Sequence, residues 1–171
     1  VSGMEQLPKN SRFLLVSNHR SNFDPILTWH ALKKYDLAFI SKPENFKIPW
    51  FGRIIRRCCF MAIDRTNARN AMASITRAAE LLRNDEVSIA VYPEGTRNHG
   101  GELLPFHNSV FKIAKWSNAP VVAVTVTGTS EIARRFPRKS NVKIQIAGVL
   151  EKEYIADHKT NEIGAAVRAM M

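Results

Sequence analysis

His19 and Asp24 stand five residues apart in the run Asn18-His19-Arg20-Ser21-Asn22-Phe23-Asp24-Pro25. An imidazole held by a carboxylate at one nitrogen has a fixed tautomer, and its other nitrogen is left free to take a proton. The spacing lets the carboxylate reach back across a strand-to-helix turn to do this. Asp24 before Pro25 also fits a helix start, with Asp as N-cap and Pro at the first helical position; on the pair alone, that reading stands beside the catalytic one. Two further polar clusters, Ala62-Ile63-Asp64-Arg65 and Tyr92-Pro93-Glu94-Gly95-Thr96-Arg97-Asn98, each carry an arginine. A guanidinium grips a phosphate through two parallel hydrogen bonds, and Gly95 lets backbone N–H groups come close to an anion. Taken singly, either arginine could equally be a solvated surface charge, with Glu94 pairing with Arg97.

All three clusters follow short apolar runs that read as strands. The predicted strands are Arg12–Val16, Leu37–Ile40, Cys58–Ile63, Val87–Tyr92, Val121–Val126 and Val142–Ile146. Between them, helices are predicted from Asp24, after Pro49 within Lys47–Arg57, over Arg69–Arg83, over His107–Trp116, and from Asp157 onward. The third of these is the clearest, because Ala71, Met72, Ile75, Ala78, Ala79 and Leu82 recur at helical spacing. Strands alternating with helices, several of them apolar throughout, predict an α/β fold: one domain with a mostly parallel central sheet flanked by helices. In such sheets the loops after the strands gather ligands, which is where the three clusters fall.

The chain has 171 residues, 45% of them apolar and 23% charged, values that exclude disorder and fibrous repeats and favour a single core. Lys and Arg number 25 against 15 Asp and Glu, a net charge of +10 that calls for anionic partners: nucleic acid, an anionic bilayer or phosphorylated small molecules. No RNA-binding aromatic signature, zinc finger or basic-helix pattern accompanies the charge, so nucleic acid is not expected. The only cysteines, Cys58 and Cys59, are adjacent and read as a reduced pair within a strand. No metal-ligand spacing is present, and no metal is expected. Apolar runs such as Val121–Val124 are far shorter than the ~18–20 residues that span a bilayer.

In order along the chain stand Asn-His-Arg-Ser-Asn-Phe-Asp-Pro (18–25), Ile-Asp-Arg (63–65), Pro-Glu-Gly-Thr-Arg (93–97) and Ala-Pro-Val-Val-Ala-Val (119–124). This set resembles the glycerolipid acyltransferase family, and within it the bacterial-type 1-acylglycerol-3-phosphate acyltransferases. Ser41-Lys42-Pro43-Glu44 and Ile48-Pro49-Trp50-Phe51-Gly52 resemble that family's link between the first two blocks. The resemblance implies acyl transfer from a thioester, acyl-CoA or acyl-carrier protein, to a free hydroxyl of a glycerophosphate, with no bound cofactor. It implies His19 as general base and Asp24 as the group that orients it. By the same carry-over, Arg65, Glu94, Gly95, Thr96 and Arg97 belong to acceptor binding, and Pro120 to packing or the acyl donor. Lysophosphatidic acid is the implied acceptor and phosphatidic acid the product. An acyltransferase for another lysophospholipid or glycerol 3-phosphate, and a non-catalytic basic lipid- or nucleic-acid-binding module, are the alternatives.

The chain departs from the family at Phe106–Phe111, where a basic residue and a glycine are usual, and at Ala123, where a second proline is common. It also opens without the membrane-associating segments usual ahead of the first block. Residues 1–171 are therefore expected to be a single acyltransferase domain lacking such a segment, peripheral at the cytoplasmic face of the cell membrane. From Lys42 to Arg69 seven basic residues face two acids. Within this stretch Trp50, Phe51, Ile54, Arg53 and Arg57 are the expected contacts with an anionic membrane, apolar groups entering the headgroup layer and basic groups meeting phosphates. Ile48, Ile55, Lys47 and Arg56 interleave with them, and packing of the apolar members into the core is the alternative.

Overall fold

The computed structural model describes residues 1–57, 60–63 and 67–171, apart from the side chains of Phe51 and Ala68. Six strands, β1 (Leu14–Ser17), β2 (Leu37–Ser41), β3 (Met61–Ala62), β4 (Ser88–Val91), β5 (Val121–Thr127) and β6 (Lys143–Leu150), form one sheet in the order β3-β2-β4-β1-β5-β6. All neighbouring pairs are parallel except β5 with β6, which run antiparallel. The predicted mostly parallel α/β sheet is therefore present, with one antiparallel strand at an edge. Cys58 and Cys59, predicted to begin the third strand, lie outside the described residues.

Both faces of the sheet are covered, which is why β1, β4 and most of β5 are apolar on successive residues rather than alternating. Leu14, Val16, Ile89, Val91, Val121 and Ala123 point to one face. There they meet α3 (Ala68–Arg83), α4 (Lys112–Ser117), α6 (Lys152–Asp157) and α7 (Thr160–Met170) through Ile75, Ala78, Leu82, Ile113, Ile155 and Val167. Phe13, Leu15, Phe39, Tyr92, Val122 and Val124 point to the other face, where Leu27, Trp29 and Ala31 of α1 (Asp24–Ala31) lie against them. Burying a Leu- or Phe-sized side chain contributes roughly 1.5–3 kcal/mol, so these two layers fix the strand ends on which the polar loops stand.

Some local features differ from the sequence reading. The stretch predicted as a helix over His107–Trp116 is a 3-10 turn, Asn108–Phe111, leading into the six-residue α4. A short helix, α5 (Glu131–Arg135), was not expected, because Glu-Ile-Ala-Arg-Arg carries no apolar periodicity. Between β2 and β3 the chain makes an unexpected 3-10 turn, Pro43–Lys47, and then α2 (Phe51–Arg57), the helix predicted after Pro49. Gly52 is required at that junction: a Cβ there would stand 2.2 Å from the Phe46 carbonyl oxygen. At the sheet's other edge, Ser2 pairs with β6, its N–H donating to the Ile144 carbonyl at 3.0 Å and its carbonyl accepting from the Ile146 N–H at 3.0 Å.

Candidate functional site

The order of strands puts β1 between β4 and β5, and its carboxyl end is where the connections leave in opposite directions, toward β2 on one side and β6 on the other. That switch point is where an open α/β sheet leaves a crevice. The loop after β1 is pinned there from both neighbours. Asn18, buried, donates its amide to the Val126 carbonyl at 2.9 Å and accepts from the Val126 N–H at 2.7 Å, extending the β1–β5 ladder by a side chain. From the β4 side, Glu94 Oε1 accepts the His19 N–H at 2.9 Å, and the Asn98 N–H donates to the His19 carbonyl at 2.7 Å. Both backbone groups of His19 are thus held by the turn that follows β4.

His19 Nδ1 lies 2.8 Å from Asp24 Oδ2. The same oxygen accepts the Arg20 N–H at 2.6 Å and the Ser21 N–H at 2.7 Å, and Oδ1 accepts the Thr129 hydroxyl at 2.5 Å. Asp24 is the first residue of α1, with Phe23 at the N-cap position and Pro25 following, and no side chain caps the helix. Its carboxylate turns back over the His19 loop instead of capping forward, so the helix-cap role suggested by the sequence is not the one it plays. Asp24 is fully buried. Burial pushes its pKa up, but the donors from His19, Thr129, Ser21 and Arg20 outweigh that and hold the carboxyl below its ordinary value. An ionised acceptor at Nδ1 requires Nδ1 to carry the proton, leaving Nε2 with its lone pair free.

The imidazole lies between this carboxylate and Tyr92, whose ring stacks on it at a centroid separation of 4.2 Å and 17° between planes. Tyr92 in turn stacks on Phe39 at 5.9 Å. Burial first, and then the charge of Asp24, raise the Tyr92 phenol well above 10, an effect the Thr28 hydroxyl partly opposes, so the ring remains a neutral platform.

His19 opens onto a cleft of about 380 Å³ on the α1 face, walled by Phe23, Pro25, Ile40, Lys42, Ile48 and Phe60 as well as Gly95, Thr96 and Arg97. Of the sequence-predicted acceptor residues, Gly95, Thr96 and Arg97 reach this cleft, Thr96 and Arg97 being exposed in it. Gly95 has φ +73°, the left-handed conformation of the turn after β4. Among the described residues Arg97 forms no ion pair, so the suggested Glu94–Arg97 pairing is absent. Glu94 faces inward: it is buried, and Oε2 accepts the Leu104 N–H at 2.9 Å and the Asn98 amide at 3.1 Å. Arg65 and its neighbour Asp64 lie outside the described residues.

Pro120 is not brought to the cleft. It stands before the first residue of β5, where its carbonyl accepts the Leu14 N–H at 3.0 Å. The site lies at the other end of β5, at Val126, about 20 Å away at ~3.3 Å per strand residue. A second, mostly apolar cavity of about 230 Å³ opens on the α3 face between Ile63, Ala71, Ile75, Val91, His107 and Val110. It shares Ile40, Tyr92 and Gly95 with the cleft, so the two meet around the carboxyl ends of β2 and β4.

The expected membrane-contact residues are largely outward. Trp50 is 78% exposed and Ile54 57%, Arg53 and Arg57 are exposed, and the Arg53 guanidinium lies 5.8 Å from the Trp50 ring centre. Ile55 is the exception, being 2% exposed and part of the core. The alternative of core packing therefore holds for Ile55 alone among the described apolar members, since the Phe51 side chain is outside the described set. Among the described residues no helix is long and apolar enough to cross a membrane. Sequence reasoning gave no role to Asn18, Tyr92 or Thr129; Asn18 and Tyr92 stand inside the polar clusters it singled out, and Thr129 lies outside them.

Residues 1–127 match the family model described as Acyltransferase. The chain belongs to the acyltransferase family. It is 31% identical over 153 residues to a 1-acyl-sn-glycerol-3-phosphate acyltransferase of Cocos nucifera, covering 90% of this chain and 48% of that protein. Similarity to the protein of the same description from Salmonella typhimurium is 26% identity over 160 residues, 92% of this chain and 64% of the relative. Among solved structures, that of the 1-acyl-sn-glycerophosphate (LPA) acyltransferase PlsC from Thermotoga maritima superposes with a TM-score of 0.78 at 28% identity. The match covers 98% of this chain and 66% of that one. The chain thus spans about half to two thirds of the length of these acyltransferases.

Proposed function

We propose that this domain transfers an acyl group from acyl-CoA or acyl-carrier protein to the free sn-2 hydroxyl of 1-acylglycerol 3-phosphate, giving phosphatidic acid. The carrying observation is the His19 Nδ1 to Asp24 Oδ2 contact of 2.8 Å, in a histidine that lines a cleft with Arg97. The names of the similar proteins support this acceptor. His19 Nε2 takes the hydroxyl proton as the oxygen attacks the thioester carbonyl carbon. The tetrahedral intermediate then collapses, the C–S bond breaks, and the departing thiolate receives the proton from the imidazolium. Asp24, ionised throughout, favours that imidazolium. No side chain becomes acylated.

Arg97 contacts the acceptor phosphate, assisted by Arg65 on the strength of the family resemblance, while Gly95 and Thr96 shape the turn that presents Arg97. Glu94 acts from behind: a carboxylate repels a phosphate, and both its oxygens are committed to the His19 and Leu104 N–H groups and Asn98. The acyl chain has apolar space in the cavity on the α3 face. Trp50, Ile54, Arg53 and Arg57 rest on an anionic membrane surface, from which an acceptor insoluble as a monomer is drawn.

The test incubates the purified protein with a thioester and a mixture of lysophosphatidic acid, other lysophospholipids and glycerol 3-phosphate. Free thiol release is followed and products are identified by mass spectrometry. Acceptor-dependent thiol release with phosphatidic acid as the main product is expected, with acyl-CoA and acyl-carrier protein compared as donors. An absence of turnover with every pair would sink the enzymatic reading in favour of a basic binding module.

A further inference from the structure

The Asp24 carboxylate has two oxygens, and the His19 loop accounts for only one of them. Oδ2 receives His19 Nδ1 and the N–H groups of Arg20 and Ser21, all from residues within five positions of Asp24. Among the described residues Oδ1 has one donor, the hydroxyl of Thr129 at 2.5 Å, 105 positions away in the chain. Both residues are fully buried, so no bulk water can take the donor's place. Thr129 reaches the carboxylate because the chain turns sharply as it leaves β5. Gly128 adopts φ +85°, and a Cβ at that position would stand 2.0 Å from the Asn141 carbonyl oxygen. The first residue past this turn is delivered beneath the start of α1.

Building on the acyl-transfer reading above, we infer that Thr129 is a positioning residue for catalysis, holding the plane of the Asp24 carboxylate through Oδ1 so that Oδ2 faces His19. A carboxylate tethered at one oxygen can rotate about its Cβ–Cγ bond. Donors on both oxygens, converging from two separate strand ends, fix that rotation. In the reaction the orientation matters most when His19 carries the proton, because the charge then developed on the ring must lie in line with Oδ2. Thr129 therefore acts through Asp24 on the chemical step and has no contact with either substrate, which separates it from the residues lining the cleft.

The experiment compares Thr129→Val, which keeps shape and removes the donor, with Thr129→Ser, which keeps the donor. Steady-state kinetics are measured with lysophosphatidic acid and acyl-CoA, and folding is checked by circular dichroism. The wild-type protein is run alongside; if it does not turn over, the acyl-transfer reading has failed, not this one. With wild-type turnover established, Thr129→Val should lower kcat roughly 10–100-fold while both KM values stay within about threefold, the pattern of an interaction that matters in the transition state. Thr129→Ser should restore kcat to within about threefold of wild type. The downfield proton resonance of the His19 Nδ1–H group should shift or broaden in the Val variant and return in the Ser variant. A folded Val variant with wild-type kcat, or a Ser variant as slow as Val, would overturn the assignment. Should Thr129→Val not fold, Thr129→Ala takes its place; loss of folding in both would overturn the assignment in favour of a role in the fold alone.

Discussion

Asp24 and Trp50 mark opposite ways of using a side chain in one small domain. Asp24 is wholly buried and takes four hydrogen bonds from two loops, whereas Trp50 is 78% exposed, with the Arg53 guanidinium 5.8 Å from its ring centre as a cation–π partner. The first arrangement fixes a charge in a low-dielectric setting, where a dipole need not reorganise when a proton moves. The second leaves an amphipathic surface free to settle on something soft. The difference teaches where a mutation should be felt as lost chemistry and where as lost attachment.

The contrast is broken most directly at His19. His19→Ala should reduce acyl transfer by roughly 10²–10⁴-fold with the fold unchanged, as for loss of a general base. Wild-type-like turnover in pure mutant protein would move the chemistry elsewhere. Asp24→Asn should be severe as well, on the order of 10²-fold or more, because the amide cannot offer two acceptor oxygens to four donors. It also gives a pH signature. The folded-state pKa of Asp24 lies below 3.8, so its contribution to stability is fully present above that value and is lost as pH falls below it. Chemical denaturation should show wild type losing stability relative to Asp24→Asn as pH drops below 3.8, with a constant difference near neutrality.

How far the sequence reaches follows the same division. The strands are legible because Leu14, Val16, Ile89 and Val122 belong to apolar runs that only a doubly covered sheet requires. The His19–Asp24 pair is legible because its members are local. Thr129 is not, since nothing about a threonine after a strand announces a partner 105 residues away. Glu94 misleads for a related reason. Its nearest opposite charge in sequence is Arg97, but backbone N–H groups of His19 and Leu104 offer a buried carboxylate better compensation than a solvated arginine. Ile55 falls among exposed neighbours in sequence, and the interleaved apolar and basic residues do not announce that it alone of the described apolar members is buried.

Smaller effects sharpen the comparison. Arg97→Ala should raise KM for the phosphorylated acceptor by about 10–150-fold, the equivalent of 1.5–3 kcal/mol for a charge-assisted contact, and leave the donor KM nearly unchanged. A rise confined to the donor would reassign Arg97 to the thioester side. Smallest is the surface change. The double variant Trp50→Ser/Ile54→Ser should bind anionic vesicles about tenfold more weakly in co-sedimentation, while kcat on a short-chain, soluble acceptor stays within about twofold. Unaltered vesicle binding would place the attachment surface elsewhere.

The pairing of Ser2 with β6 has a consequence for handling the protein. An edge strand presents a row of unpaired N–H and C=O groups that another chain can extend, and β6 is the longest strand of the sheet at eight residues. Ser2 occupies the groups at Ile144 and Ile146, and the exposed side chains of Lys143 and Gln145 keep this end of the strand polar. Ser2→Pro, which removes the N–H that donates to Ile144, would break this short seam. Displacing it would uncover a template for strand exchange between molecules, seen as concentration-dependent association in light scattering. Ser2→Ala, which keeps both backbone groups, should leave the sheet closed to its neighbours.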